Sequence, residues 1–216
     1  MSHKPPPLFP ATGHVAGTTD KIALGRILEP GINLALWYRG PSPLIVGELG
    51  TLDASSFPDV RVPTTPTSRV QDVATLFQGQ GFDTHRYPHW VEDIHELVGV
   101  FHELAGPRPV TLRLETTDGD GCRRFHVDRT HLRLLCTYRG PGTEWLRNAQ
   151  VDRHAQAHFK PNEDILRHGV PACFEPFWVG VMKGELFPGN AGNALVHRSP
   201  PVAGTGQTRV LLCLDC

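Results

Sequence analysis

The sequence predicts an α+β protein, with a helical N-terminal portion followed by a multistranded antiparallel C-terminal portion, on three observations. The stretch YPHWVEDIHELVGVFHELAG repeats apolar residues at three- and four-residue steps, which marks an amphipathic helix. Beyond it the pattern changes to short β-like runs. Those runs are separated by DGDG, RGPG, FPGNAGN and SPPVAGTG, all of turn composition. A chain of 216 residues is the size of one domain and can bury a real core.

Taken in order, residues 1–20 are rich in Pro, Gly and Thr without periodicity and read as a flexible arm, leaving 21–216 as a single domain. Its first part, 21–106, is a lead-in. INLALWYR (32–39) fits a strand, and the three prolines of 51–70 break regular structure and predict a long connection. A short helix fits Val70–Phe77. The main helix spans 88–105, with Trp90, Ile94, Leu97, Val98, Phe101 and Leu104 on its apolar face, Pro88 in its first turn and Gly106 at its end. The β portion, 107–216, offers PVTLRLETT, CRRFHVD, HLRLLCTYR, FWVGVMKGEL, NALVHRS and TRVLLCLD as strands. A polar, helix-compatible stretch at 146–169 interrupts them.

Composition narrows the function. A formal net charge of −1 gives no basic excess for phosphate backbones, so no nucleic-acid partner is expected. No apolar stretch approaches the roughly 20 residues of a membrane helix, and MSHKPPPLFPATG lacks the apolar core of a leader, so the expectation is a soluble, cytoplasmic protein without a membrane partner. Five cysteines, an odd number spread over the chain, predict reduced thiols. The pair Cys213 and Cys216 has the spacing of a zinc or redox C-x-x-C, with no second pair to complete it. No G-x-S-x-G elbow, G-x-x-x-x-G-K-[ST] loop or G-x-G-x-x-G turn is present, so hydrolase, NTPase and dinucleotide chemistries lack their markers.

One triplet carries chemistry, His126-Val127-Asp128. With 12 His and 12 Asp in 216 residues, chance predicts about 0.7 such triplets, so the motif means nothing alone. On a strand, however, residues two apart share a face, and His126 and Asp128 can then reach one ion while Phe125 and Val127 turn to the core. The plain alternative is the solvated side of an ordinary strand. His197, on a late strand, supplies a third ligand, and two imidazoles with one carboxylate on one face of an octahedral ion is the donor set of non-haem Fe(II) oxygenases. Arg209, on the next run, would return beside the site through a hairpin and grip a carboxylate of a 2-oxo acid cosubstrate. Lys183, a cation among apolar residues, is a second candidate for that carboxylate. Arg124, Tyr138 and Arg139 are candidates for contact with a small-molecule substrate.

The order His-x-Asp, distal His, then Arg resembles the 2-oxoglutarate-dependent oxygenases of the double-stranded β-helix type. Closer still, LRLETTDGDGCRRFHVDRTHLRLLCTYRGPGTEWL, VDR at 151–153 and VMKGELFPGNAGNALVHRSPP resemble the bacterial family named domain of unknown function 1826, over about residues 110–201. TYRGPGTEW is the most specific of these stretches. The resemblance implies a jelly-roll or cupin-like β portion. It implies Fe(II) and 2-oxoglutarate as cofactors, with His126, Asp128 and His197 as ligands and Arg209 as the carboxylate clamp. It also implies zinc as the alternative metal, because members of the family are associated with zinc-homeostasis genes. The run Arg209-Val210-Leu211 departs from the Arg-x-Ser of one oxygenase cosubstrate pocket. Three functions therefore stand: a metal-dependent oxygenase, a non-redox zinc-binding cupin-like protein, and a partner-binding β-domain whose triad never converges.

Overall fold

The computed structural model describes residues 13–51, 60–79, 81–119 and 121–216. The fold grows from two strands that are buried on both faces, β5 (Leu132–Arg139) and β10 (Arg209–Asp215). Their near-continuous apolar runs suit the centre of a covered sheet. β4 (Val110–Thr117) and β3 (Val60–Thr64) extend it on one side; β8 (Val179–Lys183), β2 (Leu34–Trp37) and β1 (Val15–Thr18) extend it on the other. The order is β1-β2-β8-β5-β10-β4-β3, antiparallel throughout except for the parallel β1–β2 pair. A second sheet holds β7 (Ala172–Cys173), β6 (Glu144–Trp145) and β9 (His197–Arg198), in the order β7-β6-β9.

Period-two alternation assigns the two faces of the large sheet. Leu132, Leu134, Cys136, Tyr138, Leu212 and Leu214 point to α3 (Pro88–Ala105), where they meet Trp90, Ile94, Leu97, Val98 and Phe101. Leu135, Leu211 and Cys213 point the other way and pack with Trp145, Phe174 and Leu195 of the small-sheet layer. The arrangement is therefore helices, large sheet, small sheet. α3 begins with Pro88 in its first turn and ends at Gly106, whose φ of 63° is the left-handed conformation that glycine adopts without strain. α1 (Pro43–Gly50) and α2 (Arg69–Gly79) pack beside α3; α4 (Arg153–Ala157) and α5 (Asn162–Ile165) fall in the polar interruption. No helix among the described residues is long and apolar enough to cross a membrane.

Several expectations need correction. Residues 1–12 of the expected arm lie outside the described residues, and Val15–Thr18 is a strand, because pairing with β2 satisfies its backbone. The region 21–106 is not a helical lead-in alone. Among the described residues it supplies β1's partner β2 and the edge strand β3 to the large sheet, as well as three α-helices and two 3₁₀ segments, Lys21–Leu28 and Thr84–Arg86. β3 lies inside the expected connection 51–70, of which 52–59 lie outside the described residues. Its Pro63 is tolerated because an edge strand has one unpaired side. Cys213 and Cys216 do not converge: Cys213 belongs to the small-sheet side, Cys216 packs on the helix side, and all five cysteines are free.

Candidate metal centre

His126 does not sit on a regular strand. CRRFHVD is a loop that touches the small sheet at a single bridge, His126 to His197. The two residues exchange both backbone hydrogen bonds, His126 N to His197 O at 2.9 Å and His197 N to His126 O at 3.0 Å. This pairing sets the ring centroids 4.5 Å apart. The alternation expected of a strand survives in the loop: Phe125 is buried with Val196 and Ile165, and Val127 packs on the same cluster. His126 and Asp128 turn to the opposite side.

One ligand atom each from His126, Asp128 and His197 lies within 4.8 Å of the others. His126 Nε2 is 3.7 Å from Asp128 Oδ1, and His197 Nε2 is 3.4 Å from Asp128 Oδ2. The outer nitrogens explain why the inner ones are free. His126 Nδ1 meets the Arg124 carbonyl at 2.9 Å, and His197 Nδ1 meets the Leu195 carbonyl at 3.2 Å. A carbonyl only accepts, so each Nδ1 carries a proton, and it is the neutral imidazole, the form that ligates a metal, that turns its Nε2 lone pair inward. Asp128 Oδ2 is buried and has no hydrogen-bond partner. Two imidazole nitrogens and a carboxylate oxygen thus converge, and a divalent cation fits that donor set. The convergence removes the premise of a β-domain whose triad stays apart.

The electrostatics agree. Burial pushes the His197 pKa down to about 4, so the imidazole is neutral, as a ligand must be. Burial works to raise the Asp128 carboxyl, but positive charge around it, Arg133 being the permanent one, outweighs burial and the net shift is downward. Arg133 Nη1 donates to Asp128 Oδ1 at 2.6 Å, while its Nε donates to Asp215 Oδ1. Gly184 lets the loop seat itself here. A Cβ at that position would lie 2.2 Å from the Thr130 carbonyl oxygen and 2.9 Å from that of Asp128.

A cavity of about 300 Å³ opens between the sheets beside the triad. His126, His197, Arg133, Arg209, Thr143 and Leu211 line it, together with Arg113, Glu115, Arg198, Cys122 and Ser199. Arg209 is buried at 2 % exposure, and among the described residues it has no ion-pair partner. Burial draws its pKa down to about 10, which still leaves it cationic at neutral pH. It is held by neutral acceptors: Nε donates to the Pro141 carbonyl at 3.1 Å, and Nη2 donates to Thr143 Oγ1 at 2.6 Å and to Thr137 Oγ1 at 3.5 Å. The stretch TYRGPGTEW builds this cradle. Gly142 passes so close to residue 174 that a Cβ would fall 1.9 Å from the Phe174 carbonyl oxygen. Glu144 pairs with Arg198, and Trp145 pairs in register with His197.

The remaining candidates lie elsewhere. Lys183 shares its face with Val179 and Val181, and its Nζ donates to the Glu29 carbonyl at 2.8 Å and sits 4.4 Å from the Phe187 ring. It is on the helix side of the sheet. Tyr138 is there too, donating to Asp93 Oδ2 at 2.6 Å beneath Arg39, which grips the same carboxylate with two nitrogens. Arg139 is exposed at the end of β5, outside the cavity lining. Arg124 reaches the Phe159 carbonyl at 3.3 Å and stacks on that ring at 4.7 Å; its own carbonyl orients His126. Arg133 and Thr143 were not singled out by the sequence. Alternation along β5 places Arg133 with Leu135, but the Thr143 contact spans two sheets and leaves no local trace.

Residues 18–215 match the family model described as protein of unknown function (DUF1826), and the chain belongs to that family. No curated protein matches it by sequence. Among solved structures, a rice dioxygenase for auxin oxidation is 16 % identical with a TM-score of 0.49, covering 85 % of this chain and 72 % of that one. Dioxygenase for auxin oxidation 1 from Arabidopsis thaliana, in a complex with 2-oxoglutarate, is 12 % identical with a TM-score of 0.45, covering 82 % and 65 %. A putative oxygenase from Shewanella oneidensis is 11 % identical with a TM-score of 0.46, covering 93 % and 88 %.

Proposed function

We propose that the protein is a metal-dependent oxygenase that holds Fe(II) on His126, Asp128 and His197 and takes a 2-oxo acid, with 2-oxoglutarate as the candidate, in the cavity beside them. The observation that carries this reading is a three-ligand cluster, two of whose imidazoles line the same cavity as a buried guanidinium that has no ion-pair partner among the described residues. On this reading the two sheets form a double-stranded β-helix. An Fe(II) ion held by these three residues would supply redox chemistry with dioxygen. The protein's share is binding and orientation. Arg209 pairs with the distal carboxylate of the 2-oxo acid, and Thr143 and Thr137 hold the guanidinium in line. The hydroxyl that Arg-x-Ser would place two residues on from the arginine comes instead from Thr143.

Anaerobic Fe(II) titration followed by 2-oxoglutarate tests the reading. The expected result is a visible metal-to-ligand charge-transfer band in the wild type and its loss in Asp128→Ala together with bound metal. Tight zinc retained through purification, with no such band, would instead assign the same three side chains to a non-redox zinc site.

A further inference from the structure

We propose that Arg133 is a positioning residue that restrains the metal centre: it takes up Asp128 Oδ1, leaves Oδ2 as the single carboxylate ligand, and holds cation affinity down. The inference rests on the reading of the triad as a metal site. Arg133 on β5 stands directly across from Asp215 on β10. Its Nε is anchored on Asp215, and its Nη1 extends 2.6 Å to Asp128 Oδ1. The guanidinium is therefore fixed at one carboxylate and presented to another, with both of its partners largely shielded from water. Asp128 Oδ2 is left without a hydrogen-bond partner, facing His197 Nε2.

Two effects of this contact oppose each other. It orients Asp128, which favours metal capture, and it sets a permanent positive charge on a ligand of a dication, which disfavours it. Orientation is worth roughly one hydrogen bond, whereas repulsion between a dication and a unit charge across a single buried carboxylate is larger at any protein-like dielectric. Charge wins, so loss of Arg133 tightens binding. A merely structural role predicts the reverse sign.

The test is Co(II) titration of the metal-stripped full chain at neutral pH, read by visible absorption. Arg133→Gln is expected to bind Co(II) about tenfold tighter or more, with a shifted band as Asp128 gains its second oxygen. Arg133→Lys, which keeps the charge, is expected to stay within about threefold of wild type. Adding Asp215→Asn to Arg133→Gln restores the local charge and is expected to return affinity toward wild type. Should Arg133→Gln not fold, Asp215→Asn alone reads the same charge in the other direction, and Co(II) binding is expected to weaken at least about threefold. Unchanged or weaker binding by a folded Arg133→Gln, with wild type binding Co(II), overturns the role of Arg133 while leaving the metal site standing. No Co(II) binding by wild type overturns both.

Discussion

Thr143 Oγ1 accepts a 2.6 Å hydrogen bond from Arg209 Nη2 across 66 residues of chain. This contact fixes the guanidinium that the cosubstrate carboxylate would meet. Thr143→Val keeps the shape and removes the acceptor, which leaves a buried charged donor short of a partner and costs about 1–3 kcal/mol. The expected outcome is a 2-oxoglutarate dissociation constant raised at least about tenfold in the anaerobic Fe(II) titration, with Thr143→Ser close to wild type. Equal affinity in Thr143→Val would separate Arg209 from the cosubstrate.

His197 predicts an acid-sensitive fold in the metal-free protein. Its folded pKa of about 4 lies below the ordinary 6.5, so as pH falls the unfolded chain takes up this proton first. The stability due to the neutral imidazole is full above about 6.5 and drains between 6.5 and 4, by on the order of 3 kcal/mol. His14 and His102, whose pKa values are also lowered mainly by burial, act in the same direction. Urea unfolding across that range is expected to show a shallower slope in His197→Gln; an unaltered slope would assign the acid sensitivity elsewhere.

Gly184 has no room for a methyl group. Because a Cβ there meets the Thr130 carbonyl oxygen at 2.2 Å, Gly184→Ala must displace the 128–131 loop. Destabilisation of about 2 kcal/mol or more is expected by urea unfolding, with loss of Co(II) binding, since the same loop carries Asp128. A variant that folds and binds Co(II) normally would contradict this account of the loop.

Lys183 offers a negative control. Lys183→Met removes a bond to the Glu29 carbonyl and a stacking contact on Phe187, both on the helix side. A stability loss of about 1 kcal/mol is expected, with 2-oxoglutarate affinity unchanged. Weaker cosubstrate binding would place the ammonium nearer the cavity than its contacts do.

Much of this was legible because burial imposes a period. The helix 88–105 was readable from one apolar stripe, β4 from period-two alternation, and β5 and β10 from runs that bury both faces. The triad was readable because Phe125 and Val127 still alternate with His126 and Asp128, although only one residue of that stretch is paired. The same alternation explains the misplacements: in VGVMK, Lys183 falls with Val179 and Val181, and in LRLLCTYR, Tyr138 falls with Leu134 and Cys136. Both side chains therefore belong to the helix side of the sheet and not to the cavity. β1 and β3 were missed because strands of four and five residues, one holding Pro63, are defined by their neighbours rather than by their own pattern. Thr143 and Arg133 act across strands, so only the folded chain joins them to the site.

The place of β10 has a consequence for how the molecule assembles. Among the described strands it comes last in chain order yet lies between β4 and β5, so the centre of the large sheet depends on a segment distant in sequence from both of its neighbours. Without β10 in place, β4 and β5 would each present an open edge, the kind of surface that pairs with other chains. Insertion of β10 closes both edges, brings Arg209 to Thr143 and sets Asp215 opposite Arg133. Protection from aggregation and competence to bind therefore arrive in one step. A chaperone that shields the β4–β5 gap would be guarding the unfinished cavity at the same time.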